Sequence, residues 1–204
     1  MTLATESLAF PTHAPSPQLA SCLYRLTVQQ FDRMILDGTI ANADRVELVE
    51  GLLVTKMGRN RPHVQAGNKG LWTLARILGP GWHVRKEDPV VISEWSKPEP
   101  DLAVVRGEVA DYDNRDVTAA DVALVVEIAD SSLSADRDDM ARVYSGGGIP
   151  VYWVVNVVDR QIEVFTSPGP AGYAITKVFG LNQDVVVVID GVEVGRIAVA
   201  EMMP

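Results

Sequence analysis

Hydrophobic positions recur along the chain with two periods, and the alternation between them outlines the fold. In "LTVQQFDRMILDG" Phe31, Met34 and Ile35 share one helical face, and Thr27 stands where an N-cap belongs. "RVELVEGLLVTKM" alternates around Gly51 and predicts a hairpin. From His63 to Leu78, Val64, Leu71, Leu74, Ala75 and Leu78 return at helical spacing until "GPG" stops them. "HVRKEDPVVI", "PDLAVVRG" and "DVALVVEIAD" read as strands. A helix from about Ala135 to Ser145 follows, with Met140, Val143 and Tyr144 on one inward stripe and Leu133 one heptad before Met140. "GGG" closes it. The runs "VYWVVNV", "QIEVFTS", "YAITKVF" and "DVVVVID" predict four final strands. The order indicates one α/β domain with a mixed sheet, an α+β arrangement rather than a regular doubly wound one. Residues 1–22, rich in Pro, Ser, Thr and Ala, read as a flexible lead, and residues 23–204 as the single domain.

Composition narrows the class. The 204 residues are enough for one well-buried core. No apolar run approaches 18 residues, so no membrane span is expected. The N-terminus carries an acid and no positive start, which argues against a secretory signal. Cys22 is the sole cysteine and cannot form an intrachain disulfide, in keeping with a reducing cytoplasm. A formal charge of −9 argues against a protein that holds nucleic acid mainly by a broad basic surface. Any phosphate contact has to be local.

Candidate chemistry lies at strand ends. Glu47 sits in the first hairpin strand, Asp101 opens "DLAVV", and Glu127 closes "ALVVEI". Each alone reads equally as a strand-edge or capping acid. A carboxylate at the end of a buried strand costs desolvation unless a cation or donors meet it, so three converging ones point to a hard divalent metal. His63 starts the second helix, where it, Arg59, Arg61 and the open amides can grip a phosphate or serve as plain cap and surface. Asp136, Asp138 and Asp139 favour a helix N-terminus and read as a solvated face. "GGGIP" is a helix stop, because no Lys-Ser/Thr follows it. Zinc-type Cys/His spacings and a serine nucleophile elbow are absent from the sequence.

The ordered blocks "RVELVEG", "RPHVQ", "EPDLAVV", "VVEIADSS" and "DRDDMARVYSGGGIPVYWVVN" resemble those of the Uma-type family of restriction endonuclease-like proteins, in the PD-(D/E)XK nuclease superfamily. The resemblance runs from about Leu26 to the end of the chain. It implies a restriction-endonuclease-like core, a mixed sheet flanked by helices, with acids binding Mg²⁺ or Mn²⁺ and a lysine beside them. By position the family's catalytic acids fall on Glu47, Asp101 and Glu127, with Asp101 and Glu127 as metal ligands, and its early histidine on His63. Its lysine position, four residues beyond Asp136, holds Met140. The implied function is a metal-dependent endonuclease hydrolysing DNA phosphodiester bonds. The alternative is a catalytically impaired nuclease-fold protein that binds nucleic acid or another protein. Arg137, Lys56, Lys86 and Lys97 are the cations near enough in the pattern to replace the lysine. The final strands and "VGRIAVAEMMP" offer a candidate homodimer surface.

Overall fold

The computed structural model describes residue 20 and residues 22–41, 45–56, 58–130 and 132–204. The lead expected over residues 1–22 lies, but for residues 20 and 22, outside them. Helix α1 (Val28–Leu36) begins with a reciprocal cap: Thr27 Oγ1 accepts from Gln30 N, and Gln30 Oε1 accepts from Thr27 N. Strands β1 (Val46–Val49) and β2 (Leu52–Thr55) form the hairpin expected around Gly51. Helix α2 (Arg61–Ile77) starts slightly earlier than its apolar period, because Asn60 Oδ1 accepts the His63 amide at 3.1 Å and Pro62 suits a first turn. β3 (Trp82–Lys86) stops at Glu87, whose φ of 57° turns the chain before the short β4 (Val90–Val91). β5 (Leu102–Arg106), β6 (Val117–Thr118) and β7 (Val122–Ala129) follow. Helix α3 (Leu133–Ala135) then runs through a π-helical turn over Asp136–Met140 into α4 (Ala141–Gly146). The chain finishes with β8 (Val151–Asn156), β9 (Gln161–Gly169), β10 (Gly172–Gly180), β11 (Asp184–Ile189), β12 (Val192–Ala198) and α5 (Val199–Met202).

Six strands make the central sheet, in the order β10-β9-β8-β7-β5-β3. Only β7 and β8 in it run parallel, joined by the α3–α4 crossover, so the sheet is mixed as the sequence predicts. Its inner strands alternate apolar side chains between two covered faces. Leu102, Val104, Leu124, Val126, Ile128, Trp153 and Val155 pack on one side with Ala66 and Leu74 of α2. Ala103, Val105, Val125, Ala129, Tyr152 and Val154 pack on the other with Val143 and Tyr144 of α4. Asp101 and Glu127 fall in this second alternation, on the side that α4 covers. Against the first face α2 lies so close that a Cβ on Gly70 would meet Leu102 Cδ1 at 2.7 Å.

β11 and β12 form a hairpin of their own through Asp190 and Gly191, at φ 50° and 78°. Within the segment that offers a candidate dimer surface, Ile197, Val199, Met202 and Met203 are buried in this chain's own core. Among the described residues no helix is long and apolar enough to cross a membrane.

Candidate active site

Register brings the first two acids together. Leu102 pairs with Val126 across β5 and β7, so the preceding Asp101 lies beside Glu127. Asp101 N donates to Glu127 Oε2 at 3.2 Å, and Tyr144 Oη donates to Glu127 Oε1 at 2.6 Å. Asp101 Oδ2 accepts from Ile128 N at 2.8 Å, while its Oδ1 lies 3.0 Å from His63 Nε2. Glu47 arrives by another route. The β1–β2 hairpin docks on the segment leading into β5, with Lys97 N on Leu48 O at 2.8 Å and Gly51 N on Trp95 O at 2.6 Å. That places Glu47 Oε2 3.0 Å from Glu99 N. Glu47, Asp101, Glu127 and His63 all line one cleft of about 590 Å³, walled by the hairpin, the start of α2 and the α3–α4 segment. Arg61 is exposed at the α2 start and is not part of this lining; Arg59 is, and it pairs with Glu87 at 2.5 Å.

Asp136 departs from the solvated helix-start acid that the sequence predicts: it is buried at 8% exposure and lines the same cleft. Ser132 Oγ donates to its Oδ2 at 2.5 Å, and Tyr152 Oη donates to its backbone carbonyl at 3.0 Å. It opens the π-helical turn, a distortion that recurs at functional sites. Asp138 and Asp139 are exposed, as expected.

The electrostatics follow from this crowding. Among the described residues, the lining holds eight carboxylates (the residues above with Glu50, Glu99, Asp130 and Asp139) against three permanent cations, Lys56, Arg59 and Arg142. Burial, reinforced by Asp101 and Asp136, pushes the Glu127 carboxyl well above the ordinary range, against the opposing Tyr144 bond. Asp136 is pushed up to about 6, again chiefly by burial, with Ser132 opposing and Asp101 adding to the rise. Burial also raises Glu47, against the Glu99 amide and Lys56. His63 goes the other way from what burial dictates: its bond and attraction to Asp101 outweigh desolvation and raise it. Burial and the neighbouring Glu127 keep the Tyr144 phenol protonated, so it serves as a donor.

These side chains suit a hard divalent cation in kind, since all the donors are carboxylate oxygens. Each oxygen of Asp101 and Glu127 faces one protein partner and has a further lone pair to offer. Sequence reasoning expected three carboxylates close enough to share an ion. Among the described residues, no group of three or more His, Cys, Asp or Glu side chains is arranged to hold one. A Mg²⁺-type ion does not need such a cage, because one or two carboxylates, waters and substrate phosphates suffice.

Comparison with known proteins bears on the family and the fold. The family model Uma2, described as "Putative restriction endonuclease", matches residues 28–200. The chain belongs to the Uma2 family. Among solved structures, a "putative nuclease belonging to DUF820" from Anabaena variabilis ATCC 29413 superposes with a TM-score of 0.66 at 15% identity, covering 87% of this chain and 97% of that one. At that identity the likeness speaks for the fold: a mixed sheet flanked by helices, shared with a nuclease-like neighbour. No curated protein matches the sequence. The chain thus shares the family and the architecture of restriction-endonuclease-like proteins.

Met140, at the position where the Uma-type resemblance expects a lysine, lines the cleft and packs its thioether against the α4 side of the core. The other cations weighed from sequence separate clearly. Arg137 turns away and clamps Glu163 with Nε at 2.7 Å and Nη2 at 2.5 Å. Lys97 bridges Asp32 and Asp116, each at 3.0 Å. Lys86 donates to Asn68 Oδ1 at 2.6 Å. Lys56, just past β2, is the lysine in the cleft lining among the described residues.

Proposed function

We propose that the cleft is the active centre of a divalent-metal-dependent endonuclease acting on DNA phosphodiester bonds. The observation that carries this reading is the imbalance of charge. A cleft with eight carboxylates and three permanent cations repels a phosphodiester until a cation neutralises its floor. Asp101 and Glu127 would hold Mg²⁺ or Mn²⁺. Such an ion, when bound, polarises the phosphoryl group and lowers the pKa of an attacking water. The chain's own groups do the positioning. Ile128 N and His63 fix Asp101, while Tyr144 and Asp101 N fix Glu127. Glu47, held by Glu99 N and raised toward neutrality by burial, is placed to orient a water or take its proton. With His63 committed to Asp101, a phosphate oxygen at the capped start of α2 would fall to Arg59, with the exposed Arg61 at the outer edge of the same helix start.

Met140 favours the second reading, a nuclease-fold protein with impaired catalysis that binds nucleic acid or a protein. Nicking of supercoiled plasmid with Mn²⁺ separates the two. The endonuclease reading expects cleavage by the natural protein that disappears with EDTA and in Asp101→Asn. Retention of plasmid without any cleavage points to the binding module.

A further inference from the structure

Hydrolysis of a phosphodiester builds negative charge on the phosphoryl oxygens, and a positioned protein cation lowers its cost. Three permanent cations line the cleft, and their partners differ. Arg142 is tied across the cleft mouth to Glu50 and Asp139, and Arg59 to Glu87. Lys56 sits deeper. Its side chain is 16% exposed, and its ammonium pairs with Glu99 Oε2. Glu99 is the residue whose amide holds Glu47, and it lies two positions before Asp101 in "EPD". Lys56 is also among the groups that act on Glu47 electrostatically. The ammonium is therefore anchored at the carboxylates rather than at the protein surface.

Resting on the nuclease reading above, we propose that Lys56, delivered by the end of the β1–β2 hairpin, is the catalytic cation of this cleft, donating to the scissile phosphate from the hairpin rather than from the helical segment that carries Met140. The residue suits the task. An ammonium is a compact charge with three donors on a flexible stem, able to keep Glu99 while contacting a phosphate oxygen. An arginine in a planar fork pairing has less freedom to do both. The arrangement also accounts for a methionine on the helical wall. With the positive charge supplied from the hairpin, the α3–α4 wall is free to keep an apolar side chain packed on the core.

The test is single-turnover nicking of supercoiled plasmid with Mn²⁺, using the full chain and Asp101→Asn as blank. Lys56→Gln should lose about 10² to 10⁴ in rate, the range of a positioned group in the transition state. Its Mn²⁺ affinity, measured by calorimetry, should not fall, because removing a cation beside Glu47 cannot disfavour another. The double variant Lys56→Gln/Met140→Lys, which brings an ammonium in from the other wall, should regain rate. Should that variant fold poorly, Lys56→Cys in a Cys22→Ser background, aminoethylated with bromoethylamine, restores an ammonium of nearly the same reach. Recovery by either route supports the proposal. A lost rate that neither ammonium restores overturns it, since the loss is then structural. Equal rates for the natural protein and Lys56→Gln overturn it and leave the nuclease reading standing. A natural protein no faster than Asp101→Asn overturns both.

Discussion

His63 Nε2 lies 3.0 Å from Asp101 Oδ1, so the start of α2 and the head of β5 are joined by a bond between an imidazole and a carboxylate at the cleft floor. The bond holds one oxygen of Asp101 while Ile128 N holds the other.

The imidazole should report that bond. Asp101 raises His63 above its ordinary value, so the pair stabilises the fold fully below the unfolded pKa, and this contribution fades as pH rises through the folded one. In an NMR titration His63 is expected to lose its proton at higher pH than an unperturbed imidazole. The titration should shift down in Asp101→Asn, and also on adding Mg²⁺. An unchanged midpoint in Asp101→Asn would remove the carboxylate from the explanation.

Asp136 carries a prediction of similar sign. Its carboxyl moves from 3.8 to about 6 in the folded protein, so ionising it costs more there than in the unfolded chain. The natural protein should lose stability as pH rises across that interval, and Asp136→Asn should lose less, because the raised Glu127, Glu47 and His63 groups remain in it. At pH 7.5 without metal, urea denaturation should find the variant more stable by about 1–3 kcal/mol. The gap should close toward pH 4, below the folded-state value.

That carboxylate also shows where sequence reading stopped. The sheet, the hairpin and both long helices follow from periodicity, and Glu47, Asp101 and Glu127 were legible as acids at the ends of apolar strands. Asp136 was not, because three acids at a helix start have an ordinary surface explanation. The signal was present all the same. Leu133, Asp136, Met140 and Tyr144 step by three or four along one helical stripe, which puts the aspartate on the inward side. The π-helical turn has no comparable signature. β12 is absent from the four final strands expected, although "VIDGVEV" carries its signal, an Asp-Gly between alternating residues that marks a two-residue hairpin turn. Which lysine enters the cleft depends on how the chain leaves β2, and no local pattern encodes that.

Tyr144→Phe tests the support of Glu127. The change removes a buried donor 2.6 Å from Oε1 without altering the ring's packing, and leaves the carboxylate with fewer partners. A loss of about 1–3 kcal/mol is expected from denaturation at pH 8. The loss should shrink in acid, where Glu127 is neutral.

Arg137→Ala should separate stability from chemistry. Glu163 has a side chain only 4% exposed and takes both arms of the Arg137 guanidinium, so truncation leaves a buried carboxylate with much of its compensation gone. Because the arginine itself is partly exposed, a destabilisation of about 1–3 kcal/mol is expected rather than the full cost of breaking a buried pair. Mn²⁺ affinity should stay as in the natural protein, since this pair faces away from the cleft. A weakened metal site in Arg137→Ala would show that the π-helical turn depends on it.

The central claim is that Asp101 and Glu127 hold a divalent cation, and calorimetric titration with Mn²⁺ at pH 7.5 tests it most directly. The natural protein is expected to show saturable binding at one site, and Glu127→Gln to weaken it by more than about 10², beyond what altering a group behind a metal ligand costs. Absence of binding to the natural protein, or equal affinity in Glu127→Gln, would contradict the account.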